Sequence, residues 1–342
     1  MHTILTLEIL IKHWTAHLNQ LLYSASYYCK LNNIKLLINY SDSAPYEGAI
    51  LVFNNTTYLL DYSDSPKLLN NHNNYDFYFK RSLLLENLTK TTLPLNFQVN
   101  FSINPLSLIR KMDKRILKNP TSKTEIIRAL DYFSFFVNDS HFSKRISKIS
   151  SEINDNNGRI IYLSRLWSPD NTQNLLEKER RIKQNEFRIN ACEIIKNNFK
   201  NSIVGIQEDS YSNKIAKGLL VDLKITKKSN YLSLLKNADI GIADDGLFDT
   251  PGWKIGEYVM SGKAIITTPI NVYIDNFREN KNYLKTQNRS SYYDIPNLIE
   301  HLLSNKNYMN MKKNNKLWYE TYLSPDIYIN NILNKKTVCN TS

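Results

Sequence analysis

The sequence predicts an α/β fold divided into two domains, and three observations support this prediction. The chain has 342 residues, which exceeds the roughly 250 to 300 that usually share a single core. Its composition, 42% hydrophobic and 11% aromatic, is sufficient for two cores. Among nine glycines only Gly48 precedes residue 158, so the tight turns typical of ligand sites are concentrated in the C-terminal half.

The N-terminal half alternates between strand-like and helix-like segments. We expect strands at 34–40, 48–54 and 57–61 and helices at 18–30 and 124–136. A polar run at 150–158, SSEINDNNG, separates the two halves and is typical of a hinge. The predicted domains are therefore an N-terminal domain at 1–155, a C-terminal domain at 156–333, and a flexible tail at 334–342.

The segment at 244–269, DDGLFDTPGWKIGEYVMSGKAIITTP, is the most informative of the chain. Apolar runs at 237–243 and 264–268 predict buried strands on either side of one helix. Thr250 is predicted as the N-cap, Pro251 as the first helical residue, and Gly262 as the C-terminal stop. The N-terminus of a helix at the carboxyl edge of a parallel sheet is where open α/β folds bind phosphorylated ligands.

Three residues of this predicted helix indicate an anion site with a carboxylate beside it. Gly252 allows a phosphate to approach the backbone. Lys254 opposes the helix dipole, at a cost of about 0.3 to 1 kcal/mol, unless an anion lies nearby. Glu257 follows Gly252 by five residues, about 7.5 Å along the axis, which suits a carboxylate that binds ribose hydroxyls. The alternative is an ordinary surface helix with a solvated lysine and glutamate.

The stretch from Asp249 to Glu257, DTPGWKIGE, followed by YVMSGKAIIT, resembles the carboxylate, seven residues, glutamate signature of group 1 glycosyltransferases of the GT-B fold. The resemblance implies that Asp249 contacts the donor sugar near the reacting carbon, Gly252 contacts phosphate, and Glu257 binds ribose. Asp249 stands where glutamate is usual, and Lys254 where proline is frequent. The resemblance also implies an α/β fold with two facing Rossmann-like domains, of which 1–155 binds the acceptor and 156–333 the nucleotide sugar. A C-terminal helix, here within 317–333, crosses back to the first domain in this fold.

A second match is found at 158–169, GRIIYLSRLWSP, which is similar to the opening strand of the family's C-terminal domain. The resemblance implies that Arg165 binds phosphate, for which its planar fork is suited. The family commonly has a lysine about five residues later, where this chain has Asp170. Lys254 or a base at 178–181 can replace that lysine, or the donor carries a single phosphate, as a CMP-sugar does. The alternative for Arg165 is a surface salt bridge.

Charged residues near predicted strand ends in the first half are candidates for an acceptor cleft. The two stretches are 61–64, DYSD, and 75–82, YDFYFKRS. Ordinary loop polarity is the alternative for their aspartates and for His72, and none is assigned as a general base.

Several other chemistries lack their sequence signatures. The three cysteines, Cys29, Cys192 and Cys339, are far apart, and no paired histidines or C-x-x-C suggest a zinc site. The chain contains no G-x-S-x-G, P-loop or G-x-G-x-x-G. It also contains no D-x-D, which is typical of the other major, metal-dependent glycosyltransferase fold. We therefore expect a metal-independent enzyme without a cofactor.

The formal charge of +12 raises the question of nucleic-acid binding. The excess is spread evenly, with 17 basic against 11 acidic residues at 1–150 and 27 against 21 in the rest, so we expect no nucleic-acid partner. The densest cluster, at 105–120, predicts a basic amphipathic helix that binds an anionic membrane surface or packs with a solvated basic face. No targeting or spanning segment is expected, which favours a cytoplasmic location, peripheral at the inner face of the membrane.

The function that the resemblance implies is that of a hexosyltransferase-like enzyme. It would transfer sugar from a UDP-, GDP- or CMP-linked donor to a saccharide or lipid-linked acceptor in bacterial surface polysaccharide synthesis, as for capsule or lipopolysaccharide. The alternatives are a non-catalytic paralogue that binds nucleotide sugars and a basic nucleic-acid-binding protein.

Overall fold

The structure is a computed structural model that describes residues 5–99, 101–102, 108, 110–118, 144–145 and 153–334. The chain forms two compact units: the first contains Met1–Ile149, Asn271–Asn276 and Tyr319–Ser342, and the second contains Ser150–Ile270 and Phe277–Trp318. The predicted helix at 124–136 lies outside the described residues, as does the predicted tail at 334–342 except for Asn334, which ends the last described helix. The domain boundary at 155/156 stays a prediction, and the second unit begins at Ser150.

The described strands and helices have the following bounds. The strands are Thr6–Ile11 (β1), Lys35–Tyr40 (β2), Gly48–Phe53 (β3), Thr56–Asp61 (β4), Phe77–Lys80 (β5), Thr92–Pro94 (β6), Phe101–Ser102 (β7), Lys144–Arg145 (β8), Ile160–Ser164 (β9), Ser202–Gln207 (β10), Leu220–Val221 (β11), Ile240–Ile242 (β12), Ala264–Thr267 (β13) and Leu284–Lys285 (β14). The helices are Asn19–Leu31 (α1), Lys114–Lys118 (α2), Leu175–Asn198 (α3), Ser212–Ile215 (α4), Leu223–Thr226 (α5), Lys228–Lys236 (α6), Trp253–Met260 (α7), Ile295–Leu303 (α8), Asn307–Tyr322 (α9) and Tyr328–Asn334 (α10).

The first unit contains a six-stranded sheet in the order β2-β1-β3-β4-β5-β6. The three strands predicted in this half are confirmed, but the sheet is mixed, because β3 is antiparallel to both β1 and β4. Asn54 and Asn55 connect β3 to β4 with φ of 48° and 61°. A two-residue turn with two positive φ angles matches the twist of a hairpin, and asparagine tolerates it best after glycine. This hairpin distinguishes the sheet from an all-parallel Rossmann sheet.

The C-terminal helix α10 belongs to the first unit, as the predicted fold class requires. It packs on α1, and its Tyr328 hydroxyl lies 2.7 Å from the hydroxyl of Tyr62 in a buried contact. The preceding helix α9 belongs to the second unit as far as Trp318 and to the first from Tyr319. The C-terminal segment therefore contributes to the core of the N-terminal unit.

The charged residues of 61–82 form a buried network at the carboxyl ends of β4 and β5. Lys80 Nζ lies 2.7 Å from Asp61 Oδ2, and the two side chains are 0% and 2% exposed. The Tyr78 hydroxyl donates a 2.6 Å hydrogen bond to the same carboxylate oxygen. Arg81 pairs with Asp64. Because these groups satisfy one another, they hold the strand ends together. This buried pairing supports a structural role for Asp61 over a role in an acceptor cleft.

The second unit is built on a parallel sheet in the order β11-β10-β9-β12-β13-β14. The predicted strands at 237–243 and 264–268 are confirmed as its neighbouring strands β12 and β13. Both are completely buried, as is typical of a parallel sheet covered by helices on both faces. Their carboxyl ends therefore lie at the edge where α/β folds place ligand sites.

The polar segment 153–158 is held within the second unit by a buried carboxylate. Asp239 is 0% exposed and accepts hydrogen bonds from the backbone N–H of Asn156 at 2.8 Å and of Gly158 at 2.9 Å. Its other oxygen pairs with Lys312, which is 1% exposed. Losing one partner of such a buried pair costs about 3 to 5 kcal/mol. The polar composition of this segment thus reflects internal bonding within the unit.

The described part of the basic segment, 110–118 with Leu108, packs through its apolar residues. Leu108, Met112 and Ile116 are 0%, 8% and 5% exposed, and the Asp113 N–H donates a 2.8 Å hydrogen bond to the carbonyl of Ile38 in β2. The described basic side chains are exposed; they are Arg110, Lys111, Lys114 and Arg115. This burial supports the packed alternative for the apolar face. Within the described ranges, no helix is long and apolar enough to cross a membrane.

Candidate functional site

The helix α7 begins at the carboxyl edge of the parallel sheet, as predicted, but its cap differs from the expected one. The N-cap is Gly252 and the first helical residue is Trp253. The prediction of Thr250 as N-cap was wrong, because the Thr250 carbonyl accepts a 2.6 Å hydrogen bond from the Gly246 N–H and Pro251 pairs with Asp245 across the loop. Thr250 and Pro251, the residues that predicted the helix start, instead close the loop that precedes the helix.

Gly252 lies in close contact with the end of β12. A Cβ atom at this position would come within 3.0 Å of the Asp244 carbonyl oxygen, a tight approach that favours glycine. No side chain caps the first turn of α7. Its backbone N–H groups are thus oriented toward the carboxyl edge of the sheet, in the arrangement that binds anions in many α/β proteins.

Lys254 points inward from the first turn of α7 toward the ends of two central strands. Its Nζ donates a 3.1 Å hydrogen bond to Oγ of Ser164, the last residue of β9, and lies 4.0 Å from Asp244 Oδ1. The side chain is 25% exposed. Asp244 is itself held by Arg188 of α3, whose Nε lies 2.5 Å from Oδ2. The group therefore contains two cations, Arg188 and Lys254, and one carboxylate.

Burial lowers the pKa of Lys254 to about 8, and the nearby positive charge of Arg188 contributes to the decrease. The Asp244 carboxylate acts in the opposite direction. At neutral pH the ammonium group is therefore still mostly charged in a partly dehydrated position. A bound anion would stabilise that charge, since an opposite charge within a few ångströms favours the ionised form.

Arg165 follows the end of β9, with its guanidinium stacked on Trp167. Its Cζ lies 3.6 Å from the ring centroid, within the range of a cation–π contact. Partial loss of hydration of the guanidinium and the charge of Arg188 lower its pKa. The residue is exposed overall, and no ion pair found in the described ranges involves it. The salt-bridge alternative therefore receives no support, and the stacking leaves the N–H groups available.

Glu257 lies one turn after Lys254 on α7 and is 8% exposed. Its carboxylate is close to Tyr231, whose phenol has a pKa raised by burial and by the charges of Glu257 and Tyr258. The alternative of a solvated glutamate on a surface helix was wrong. Burial of a carboxylate at this position requires polar neighbours, which the tyrosines supply.

Asp249 lies apart from these residues, at the mouth of a cavity of about 820 Å³. Its side chain is 51% exposed, and Arg289 Nη1 lies 2.7 Å from its Oδ1. The cavity is formed by the first half of α3 and by the loops that follow β12, β13 and β14. Its polar and charged lining residues include Arg180, Gln184, Asp245, Asp249, Thr268 and Arg289. Among the five predicted site residues, Asp249 is the one that lines it.

Asp245 is the most strongly perturbed carboxyl group of the cavity. Burial, together with the charges of Asp244 and Asp249, raises its pKa to about 7. The Arg289 guanidinium at 3.4 Å and a 2.7 Å hydrogen bond donated by the Thr268 hydroxyl oppose the increase. Asp245 therefore changes charge near neutral pH, a property frequent at functional sites.

Several residues that organise the site were not predicted from the sequence. Asp244 and Asp245 follow β12 after Ala243, and the rule that ligands bind at the carboxyl ends of parallel strands could have indicated them. Arg188 and Arg289 carry no local signal, because they reach the site from the middle of a long polar helix and from a distant loop. No three His, Cys, Asp or Glu side chains are placed to hold a metal ion in the part of the chain that is described.

The chain is similar in structure to several glycosyltransferases. A glycosyltransferase from Rickettsia africae has 12% identity and a TM-score of 0.44, over 93% of this chain and 79% of that chain. HepE of Anabaena in complex with UDP-glucose has 10% identity and a TM-score of 0.42, over 97% of this chain and 100% of that chain. The C-terminal domain of the glycosyl transferase group 1 family protein LpcC from Francisella tularensis has 14% identity and a TM-score of 0.36, over 48% of this chain and 85% of that chain. At these values we draw no functional conclusion from the similarity. No protein-family model and no curated protein matches the chain.

The raised pKa of Asp245 predicts a pH-dependent effect of the substitution Asp245→Asn. Between about pH 4 and pH 7 the native state retains a proton that the unfolded state has lost, so the stability of the wild type falls as pH rises through this window. Asparagine removes that penalty. We expect the free energy of unfolding of the variant minus that of the wild type to be about 1 to 3 kcal/mol larger at pH 8 than at pH 5, as measured by urea denaturation.

A matched control is Asp170→Asn, which alters a side chain that is 85% exposed. Its difference from wild type should be the same at both pH values. If Asp245→Asn also shows the same difference at pH 5 and pH 8, Asp245 does not titrate with a raised pKa.

Proposed function

We propose that this protein is a group 1 glycosyltransferase of the GT-B fold that uses a nucleotide-sugar donor. The observation that carries the proposal is the position of Lys254 and Gly252 at the start of a helix on the carboxyl edge of a parallel sheet. The spacing from Asp249 to Glu257 within the same segment adds the family signature. The acceptor would be a saccharide or lipid-linked saccharide in bacterial surface polysaccharide synthesis, such as capsule or lipopolysaccharide.

The cations of this site suit the phosphates of the donor. Asp244 already pairs with Arg188 at 2.5 Å, whereas Lys254 lies at the limit of ion-pair distance at 4.0 Å. Lys254 is thus the cation best placed to take the role of the lysine that Asp170 replaces, together with Arg165. This assignment supports a diphosphate donor, UDP- or GDP-linked, over the CMP-linked alternative.

The reaction breaks the bond between the anomeric carbon and the phosphate oxygen and forms a bond from that carbon to an acceptor oxygen. The electron pair of the broken bond remains on the leaving nucleotide, and the proton of the acceptor hydroxyl passes to the leaving phosphate or to water. Lys254, Arg165 and the N–H groups of α7 would stabilise this developing charge, and such preorganised groups supply much of the rate enhancement in many enzymes. Asp249 would orient the sugar, and Glu257 the ribose. We therefore propose a metal-independent reaction that needs no cofactor.

The first test is donor binding and its dependence on Glu257. In a thermal-shift screen of UDP-, GDP-, ADP-, dTDP- and CMP-sugars, the cognate donor at 100 times its dissociation constant should stabilise the wild type by about 2.7 kcal/mol. Glu257→Ala should weaken the affinity by roughly 1.5 to 3 kcal/mol, since a hydrogen-bonded charged group is lost.

Glu193→Ala, which changes an exposed glutamate of α3, is the control and should bind as the wild type does. Equal affinity of folded Glu257→Ala and wild type would remove the ribose assignment. No stabilisation by any of the five classes would contradict the proposed donor site.

Turnover separates an enzyme from a non-catalytic paralogue. We expect transfer of the sugar to a lipid-linked acceptor, measured with radiolabelled donor, to persist in excess EDTA, because cationic side chains neutralise the leaving phosphate. Activity that disappears with EDTA and returns with manganese would show that a divalent cation performs this role. Donor binding without transfer to any acceptor would support the paralogue.

We further propose that the protein is cytoplasmic and binds the inner face of the membrane through the basic surface formed by Arg110, Lys111, Lys114 and Arg115. All four side chains are exposed, whereas the apolar residues between them are buried. Binding would therefore be electrostatic, at about 1 kcal/mol per basic residue near anionic lipid, without insertion of apolar side chains.

Vesicle sedimentation tests this basic surface. At low salt the wild type should sediment with anionic vesicles and not with neutral ones, and changing Arg110, Lys111 and Lys114 together to Gln should abolish the effect without altering donor binding. The matched control changes three exposed lysines of the second unit, Lys200, Lys214 and Lys217, to Gln. If both triple variants lose sedimentation equally, net charge and not this surface causes binding. If both sediment as the wild type does, the basic surface has no role in binding.

A further inference from the structure

The loop at 244–251 adopts a conformation that its own residues do not favour. Phe248 and Asp249 have φ of 53° and 59°, and two successive non-glycine residues in the left-handed region are uncommon. Such a backbone persists only where its surroundings hold it in place. The contacts that hold this loop therefore determine where the Asp249 carboxylate points.

Three arginines contact the loop from outside it. Arg188 pairs with Asp244 at its start. Arg180 donates a 3.0 Å hydrogen bond from Nη1 to the Gly246 carbonyl. Neither interaction involves Phe248 or Asp249, the two residues with positive φ. The far end of the loop is closed by the Gly246 N–H, which donates a hydrogen bond to the Thr250 carbonyl.

Arg289 contacts Asp249 at two points and Asp245 at a third. Nη1 lies 2.7 Å from Asp249 Oδ1, and Nη2 donates a 3.0 Å hydrogen bond to the Asp249 carbonyl. Nε lies 3.4 Å from Oδ2 of Asp245. One planar guanidinium thus binds the side chain and the backbone of the same residue and also a second carboxylate, a geometry that an ammonium group cannot reproduce.

We propose that Arg289 is a positioning residue that sets the orientation of the Asp249 carboxylate at the mouth of the cavity. The inference rests on the proposed function for its catalytic consequence, because Asp249 is there the group that contacts the donor sugar. The geometric part, that Arg289 holds 248–249 in place, depends only on the contacts described above.

The proposal separates the effects on binding and on turnover. Phosphate and ribose would be held by Lys254 and Glu257, which Arg289 does not contact, so loss of Arg289 leaves most of the donor affinity intact. The sugar, by contrast, would meet a misplaced carboxylate. A displacement of about 1 Å near the reacting atoms can cost 100-fold in rate.

The experiment compares Arg289→Gln and Arg289→Lys with Lys285→Gln, a control that removes an ion pair to Glu279 in the same segment outside the cavity. Hydrogen exchange of the ligand-free proteins is measured first. We expect faster exchange of the amides at 245–251 in both Arg289 variants and unchanged exchange in the control. Unchanged amide exchange in the Arg289 variants would overturn the proposal, and this result does not depend on whether the protein can bind a sugar nucleotide. If Arg289→Gln does not fold, Arg289→Lys, which keeps the charge, provides the same comparison.

Kinetics with the donors of the sugar-nucleotide panel then test the catalytic consequence. We expect Arg289→Gln to lower kcat by about 10- to 100-fold and to change the donor dissociation constant less than threefold. Asp249→Asn should lower kcat similarly, and the double variant no further, because the two residues act as one unit. The positioning role would be overturned if the two substitutions lowered kcat multiplicatively, or if Arg289→Gln had the kcat of the wild type. If the wild type binds no sugar nucleotide, the proposed function fails, while the hydrogen exchange still decides the positioning role.

Discussion

The buried ion pair between Asp244 and Arg188 is the interaction on which the architecture of the site depends. The two side chains are 4% and 8% exposed, and they join the end of β12 to the long helix α3. Arg188 also donates a 2.6 Å hydrogen bond to the Arg165 carbonyl, so the same guanidinium fixes the end of β9. Removing either partner would leave an uncompensated buried charge, at a cost of about 3 to 5 kcal/mol. The relative positions of the two strand ends therefore follow from one arginine.

This pair also divides the charges of the site into two regions. On one side, Lys254 and the first turn of α7 form a cationic region next to Ser164. On the other side, the cavity places two carboxylates, Asp245 and Asp249, around one guanidinium, Arg289. A nucleotide sugar has the matching division, since its phosphates are anionic and its sugar hydroxyls bind to carboxylates. The proposed function gains its support from this correspondence within a single unit.

Local sequence patterns predicted the elements of the fold well where period and burial agree. Strands β12 and β13 are continuous apolar runs, and the helix between them ends where Gly262 adopts a φ of 58°. The start of that helix was predicted less well, since Thr250 is a residue type suited to a cap but is used in the loop. The antiparallel position of β3 was also outside prediction, because strand order depends on pairing between distant segments.

The sequence by itself determined the α/β class, the order of strands and helices around the site, and the spacing that places Gly252, Lys254 and Glu257 on one helix, because these properties depend on residues close together in the chain. Only the tertiary structure decided which charges meet. Arg188 reaches Asp244 across 56 residues, and Arg289 reaches Asp249 across 40. Ion pairs at such separations depend on how helices and loops pack on the sheet, and burial then sets the protonation of Asp245 and Lys254 through a loss of hydration that no local pattern encodes.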